Sequence, residues 1–202
     1  MAEISGHALL AQLRATPLAE WLAVALGVVY VLLILRRNRW GWLAGGISSA
    51  ILTLLAVRAR LPMQALLQFS YVLAAVYGWW RWNSQASAQR IGVWHWRGHM
   101  LALGACLLAS LALAQLLARE GYSAWPFLDS LVACLGLFAT WLLARVFLEN
   151  WLYWILIDSL SVYLFAVQGL VVTALLFLFY LAIAVQGFRS WRAAWRNGGG
   201  AA

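Results

Sequence analysis

Charge is what this chain has least of. Asp, Glu, Lys and Arg make up 10% of its 202 residues; lysine is absent, so all 14 basic residues are arginine, against six acids. Soluble domains carry about 25% charged and 45–50% apolar residues, whereas this chain is 65% hydrophobic with mean hydropathy +0.83. That excludes an ordinary soluble domain. The apolar residues fall in repeated runs of about 18 or more, not in short alternating segments, which excludes an outer-membrane barrel and leaves an all-α, polytopic membrane protein. A net charge of +8 would suggest nucleic acid in a soluble chain. Here the arginines stand between apolar runs, where topology and the lipid bilayer account for them, and no nucleic-acid partner is expected.

Other scarcities exclude other classes. The two cysteines, Cys106 and Cys134, lie inside apolar runs and read as small hydrophobes, not as a disulfide framework. There is no P-loop, nucleophile elbow, HExxH or glycine fingerprint, so no catalytic residue or cofactor is implied. His95 and His99 could share a metal if helical, but with no third ligand nearby they read as an interfacial pair, and no metal site is expected.

What is there is organised as spans. Residues 1–17 carry a short apolar piece, HALLAQL, interrupted by Arg14 and Pro17, and read as an N-terminal surface segment instead of a signal peptide. Seven transmembrane helices are expected at 18–35, 40–57, 61–80, 98–118, 125–147, 150–167 and 170–188. The longest connection, 81–97, contains Trp82, Trp94 and Trp96, as at a headgroup interface; residues 189–202 read as a tail whose last stretch, RNGGGAA, is expected to be disordered. Arg36, Arg37, Arg39, Arg81, Arg90, Arg97, Arg145, Arg189, Arg192 and Arg196 gather on one side, against Arg14, Arg58, Arg60 and Arg119 on the other. The positive-inside rule puts the N-terminus outside and the C-terminus in the cytoplasm.

The chain also repeats itself. At an offset of about 109, segment 26–82 matches segment 135–191 at roughly 16 of about 57 positions. The matches include Leu26-Gly27 with Leu135-Gly136, Arg36 with Arg145, Trp42 with Trp151, Tyr71 with Tyr180, Gly78 with Gly187 and Trp82 with Trp191. Spans 1–3 map onto spans 5–7, an even shift that preserves direction across the membrane. The expected domains are a three-helix bundle at 18–80, a loop and linker helix at 81–124 and a second bundle at 125–188. This 3+1+3, SWEET-like layout has a pseudo-two-fold along the membrane normal and a site between the bundles, as in transporters.

One stretch stands out, ENWLYWILID, Glu149 to Asp158. On a helix, Trp151, Trp154 and Asp158 sit at i, i+3 and i+7, within about 60° of one face, with a rise of roughly 10 Å. Asp158 lies near the middle of its span, where carboxylates are costly and by default mark a pathway or a site; the bland alternative is a structural carboxylate bonded to a neighbouring helix. Trp151 fits the interfacial aromatic belt as well as a ligand contact. The repeat sets Gly45 opposite Trp154 and Ser49 opposite Asp158, so Gly45, Gly46, Ser48 and Ser49 leave room across from the loaded face. Span 3 offers Gln64, Gln68 and Tyr71 on one face, with Tyr180 as the repeat mate of Tyr71; these suit a polar ligand site or interhelical glue. Asp129 reads either as a lining carboxylate or as an acid in the first turn of its helix. Indole faces beside a carboxylate attract cations, and amides suit hydroxyls or heterocycles, so the inferred ligand is a small, polar, aromatic cation.

At this point the chain resembles the Pnu family of vitamin transporters. The resemblance rests on the pattern WxxWxxx(N/D) at Trp151, Trp154 and Asp158, on the following GLVVTALLFLFYLAIAVQGFRSW, Gly169 to Trp191, and on the 3+1+3 plan. It implies facilitated diffusion of a B-type vitamin across a bacterial inner membrane without ATP, with later trapping by a separate cytoplasmic kinase. Family substrates include nicotinamide riboside, thiamine and riboflavin, the first two being fixed cations. Carried over are Trp151, Trp154 and Asp158 only; Gln64, Gln68, Tyr71 and Tyr180 come from helical faces and the repeat. Nicotinamide riboside is the leading substrate expectation, thiamine or riboflavin the alternative. A lipid-modifying intramembrane enzyme using Asp158 and Asp129, or a non-transporting assembly protein, are readings from other classes. A homo-oligomer is compatible with the sequence.

Overall fold

A computed structural model describes residues 18–83, 90–120, 125–167, 169 and 171–198, and over these the chain folds into seven helices. They are α1 (Leu18–Leu35), α2 (Trp40–Arg58), α3 (Pro62–Asn83), α4 (Trp96–Glu120), α5 (Pro126–Ala144), α6 (Asn150–Val167) and α7 (Val171–Asn197). All except α3 are long and apolar enough to cross a membrane. At 22 residues α3 has the length, about 33 Å at 1.5 Å per residue, but Gln64, Gln68, Ser70 and Arg81 lower its hydropathy. The expected segment 1–17 and the end of the expected tail, 199–202, lie outside the described residues.

Helices α1, α2 and α3 pack in sequence on one another, as do α5, α6 and α7; α4 packs on α5, and the two groups meet through α3 on α5 and α1 on α7. Tight turns join the members. At the end of α1, Arg37 adopts φ +53°, its N–H reaches the Ile34 carbonyl at 2.8 Å and the Asn38 N–H reaches Leu33 at 2.9 Å. This is a Schellman cap, which satisfies the last carbonyls of the helix. The same two bonds recur after α5, with Val146 at φ +59°, and after α2, with Arg60 at φ +58°. A left-handed non-glycine residue costs about 1–2 kcal/mol, and a β-branched one such as Val146 is a genuine outlier.

The repeat seen in the sequence is a repeat of contacts. Trp42 lies on Gly78, where a Cβ would collide with its ring, and Trp151 lies on Gly187 in the same way. Trp42 meets Trp82 edge-on at 5.5 Å, and Trp151 meets Trp191 edge-on at 5.5 Å. Trp82 Nε1 donates to the Ala144 carbonyl at 3.1 Å, and Trp191 Nε1 donates to the Leu35 carbonyl, also at 3.1 Å. Each of these bonds crosses from one helical group to the other, and Leu35 and Ala144 are themselves repeat mates. Tyr71 abuts Gly136 as Tyr180 faces Gly27.

The structure adds three features. Trp82 is not an exposed ring but fully buried within the protein, its N–H satisfied by the Ala144 carbonyl. Residues 90–95 are tied to the second helical group: Gly92 pairs with the turn after α5, receiving Leu148 N–H at 2.9 Å and donating to Val146 at 3.1 Å, while the Trp94 N–H donates to Glu149 Oε1 at 2.9 Å. Finally, α7 runs to Asn197, well past the expected end at 188, because Trp191 is buried in the core and Trp195 packs beside it.

Adding a methyl at Gly78 or Gly187 is expected to cost about 1–3 kcal/mol by overpacking, read as matched falls in the melting temperature of detergent-purified protein. Gly104→Ala, whose methyl meets nothing within 4 Å, should leave it unchanged or raised; a normal melting temperature for Gly78→Ala would contradict the packing. Trp82→Phe and Trp191→Phe keep a ring and remove the donor, and each should cost about 1 kcal/mol in the same assay.

Candidate functional site

A cavity of about 290 Å³ lies between the two helical groups, lined from α1, α2, α3, α5, α6 and α7. It occupies the half of the molecule nearest the α1–α2 and α5–α6 turns, the end where Arg36, Arg37 and Arg145 stand. One wall is the stripe on α6, where Trp151, Trp154 and Asp158 all line the cavity, flanked by Phe177 and Tyr180 of α7. The i, i+3, i+7 spacing aims all three at one side of the helix, as helical geometry requires. Trp151 is only 3% exposed, seated on Gly187, so it is no headgroup anchor. Trp154 is half-buried and, among the described residues, has no ring stacked on it, which leaves an indole face to the cavity.

The opposite wall comes from the first group: Trp42, Gly45, Ser48 and Ser49 of α2, Gly27 and Tyr30 of α1, and Tyr71 of α3. Ser48 is committed, its hydroxyl donating to the Ala23 carbonyl at 2.7 Å and tying α2 to α1. Gly46, expected beside Gly45, turns instead toward Ala75 of α3.

Asp158 dominates the electrostatics. It is 5% exposed and, among the described residues, the only charged one in the lining. Among the described residues no donor bonds to it and no cation pairs with it; Tyr180 lies within electrostatic reach. An ion removed from water without a partner costs several kcal/mol, and such a group is a strong attractor for a cation or hydroxyl that enters. Apart from Asp158 the lining offers aromatic faces, the hydroxyls of Ser49, Thr140, Tyr71 and Tyr180, and aliphatic surface.

Of the site residues read from the sequence, Trp151, Trp154, Asp158, Tyr71 and Tyr180 come together on the cavity. Gln64 and Gln68 do not line it. They share the face of α3 that carries Tyr71 and Ala75, but the cavity meets that helix only at Tyr71 and Ala75, and Gln64 lies roughly 10 Å further along it. Asp129 is also outside the lining. His99 shares a hydrogen bond with Tyr153 at 2.9 Å and stands 3.9 Å from Glu149, a polar knot beside α6, while His95 is exposed. Sequence reasoning missed Tyr30 and Thr140. Tyr30 has no motif and its repeat mate is Ala139; the available signal was Gly45, the missing bulk opposite Trp154, which Tyr30 fills.

The comparisons with known proteins agree with this architecture. A family model described as nicotinamide mononucleotide transporter matches residues 17–193. The nicotinamide riboside transporter PnuC of Escherichia coli K12 is 25% identical, with 73% of each chain covered. The riboflavin/roseoflavin transporter RibM of Streptomyces davaonensis is 28% identical over 82% of this chain and 80% of its own. The fold superposes on a crystal structure of the vitamin B3 transporter PnuC with a TM-score of 0.72, at 20% identity, covering 94% of this chain and 87% of that one. With its cavity, its apolar helices and a family match over nearly its whole length, the chain belongs to the nicotinamide mononucleotide transporter family.

Proposed function

We propose that this protein is a membrane carrier that binds a small vitamin cation between its two helical groups and lets it cross by facilitated diffusion, nicotinamide riboside being the foremost substrate. The observation that carries this reading is the unpaired carboxylate of Asp158 buried among aromatic faces. A pyridinium ring gains from both: indole attracts a desolvated cation by about 2 kcal/mol, and the carboxylate cancels its charge. A phosphorylated nucleotide would bring negative charge to a lining whose only ion is Asp158, so the riboside suits the cavity better than its phosphate. Phosphorylation then falls to a separate cytoplasmic kinase.

Thiamine, also a fixed cation, is the alternative from the same chemistry. Riboflavin is a second reading, favoured by the similarity to RibM. A volume of about 290 Å³ stands at the lower end of the ~300–1,000 Å³ of small-molecule pockets, which favours one ring over three fused ones.

The 3+1+3 layout, with α4 as linker, belongs to the same proposal. It is supported by the recurrence of the Trp–Gly, Trp–Trp and Trp–carbonyl contacts in both groups, and by the pairing of α3 on α5 with α1 on α7, which an exchange of the halves interconverts. It makes α3 the seventh crossing. The arginine excess at the α1–α2, α3–α4 and α5–α6 connections and in the last turns of α7 supports a cytoplasmic C-terminus in a bacterial inner membrane. No residue of the cavity is assigned to catalysis, so the solute is expected to cross unaltered.

In liposomes, Asp158→Asn and Trp154→Ala should each lower uptake of labelled nicotinamide riboside about ten- to hundredfold, from the loss of a charge-assisted contact or a desolvated indole face, with the solute recovered unchanged. Chemical conversion of the label would favour an intramembrane enzyme; unaltered uptake by both variants would favour an assembly role. In a thermal-stability panel, the purified protein should be stabilised by nicotinamide riboside or thiamine, by about 2.7 kcal/mol at a hundred times Kd. Stabilisation by neither cation would sink the reading.

A further inference from the structure

Tyr30 has no counterpart in the other half. Its repeat mate on α5 is Ala139, fully buried, and the residue it covers, Gly45 on α2, has Trp154 as its mate on α6. The two halves thus carry the same bulk on different helices. In the second, Trp154 packs with the cluster that contains Ala139. In the first, Tyr30 sits on Gly45, where a Cβ would fall 2.7 Å from Tyr30 Cδ2. Tyr30 also meets Trp42 edge-on at 6.1 Å. With the backbone of Gly45 behind it and an indole at its edge, the phenol ring cannot withdraw from the cavity that it and Trp154 both line.

We propose that Tyr30, seated on Gly45, is the specificity-determining residue of this cavity, the wall opposite Trp154 that excludes ligands with three fused rings. The proposal rests on the vitamin-carrier reading and deepens it. The relatives named above differ, by their names, in moving a nicotinamide ring or a three-ring flavin. In a cavity of about 290 Å³ a fixed phenol is a large fraction of the difference between the two. Removing it opens space on the side that faces the indole, while leaving Asp158 and Trp154 as they are.

The test is the affinity of detergent-purified protein for nicotinamide riboside and for riboflavin, in the wild type, Tyr30→Ala, Tyr30→Phe and Gly45→Ala. Tyr30→Ala should shift the ratio of the two dissociation constants toward riboflavin by at least ~10-fold, the discrimination available to one well-packed contact; Tyr30→Phe, which keeps the ring, should restore the wild-type preference. Gly45→Ala, which drives the ring into the cavity, should weaken nicotinamide riboside ~10-fold without admitting riboflavin, and it decides the matter if Tyr30→Ala fails to fold. An unchanged ratio in Tyr30→Ala, or wild-type binding by Gly45→Ala, overturns the proposal while wild-type binding leaves the carrier reading intact. A wild type that binds neither nicotinamide riboside nor thiamine removes the reading and the proposal with it.

Discussion

The structure depends on indole rings laid on glycine. Between helices in hydrocarbon there is little hydrophobic gain to be had, since lipid is as apolar as leucine, so close packing and a few satisfied polar groups must hold the bundle. Trp42 on Gly78 and Trp151 on Gly187 provide the packing within each helical group. Trp82 and Trp191, each edge-on to one of those indoles, provide the polar tie between the groups through Ala144 and Leu35. Two of these four rings also line the cavity. The packing of the fold and the lining of the cavity therefore draw on the same side chains.

The cavity between the groups is chemically lopsided. Both walls are aromatic, but the charge is on α6 alone, and the hydroxyls around it are partly spent on the helices themselves: Thr140 donates to Gly136 at 2.8 Å and Ser48 to Ala23 at 2.7 Å. What remains around the cavity is one carboxylate, indole and phenol faces, the hydroxyls of Ser49, Tyr71 and Tyr180, and the buried indole N–H groups of Trp42 and Trp151, which bond to nothing among the described residues.

Much of this was legible in the residues because helical periodicity is strict. The spacing of Trp151, Trp154 and Asp158 guarantees a shared face, and the apolar runs bound their helices to within a few residues except at α7, where buried Trp191 and Trp195 prolong the helix. The repeat was legible because its matched Trp, Gly and Tyr residues are those that make equivalent contacts. Periodicity assigns a face but not a depth, which is why Gln64 and Gln68 stand on the correct side of α3 and beyond the reach of the cavity. Nor does it reveal compensation between helices: Tyr30 fills space that Gly45 leaves, and neither residue matches its mate. Nor does an indole next to arginine at a span end reveal that it is buried, since the Ala144 carbonyl that Trp82 meets is 62 residues away in sequence.

The bridge between Gly92 and the turn after α5 divides the molecule differently from its repeat. By repeat the halves are equal; by attachment they are not, because α4 packs on α5, its His99 bonds to Tyr153 of α6, and the segment leading into it pairs with the turn that precedes α6. Four helices thus form one body and three the other. The larger body carries the carboxylate and both indoles of the stripe, and the smaller carries Tyr30 on the cavity's other wall. A symmetric repeat of contacts is thus joined to an asymmetric attachment, made by two backbone hydrogen bonds between Gly92 and the turn after α5.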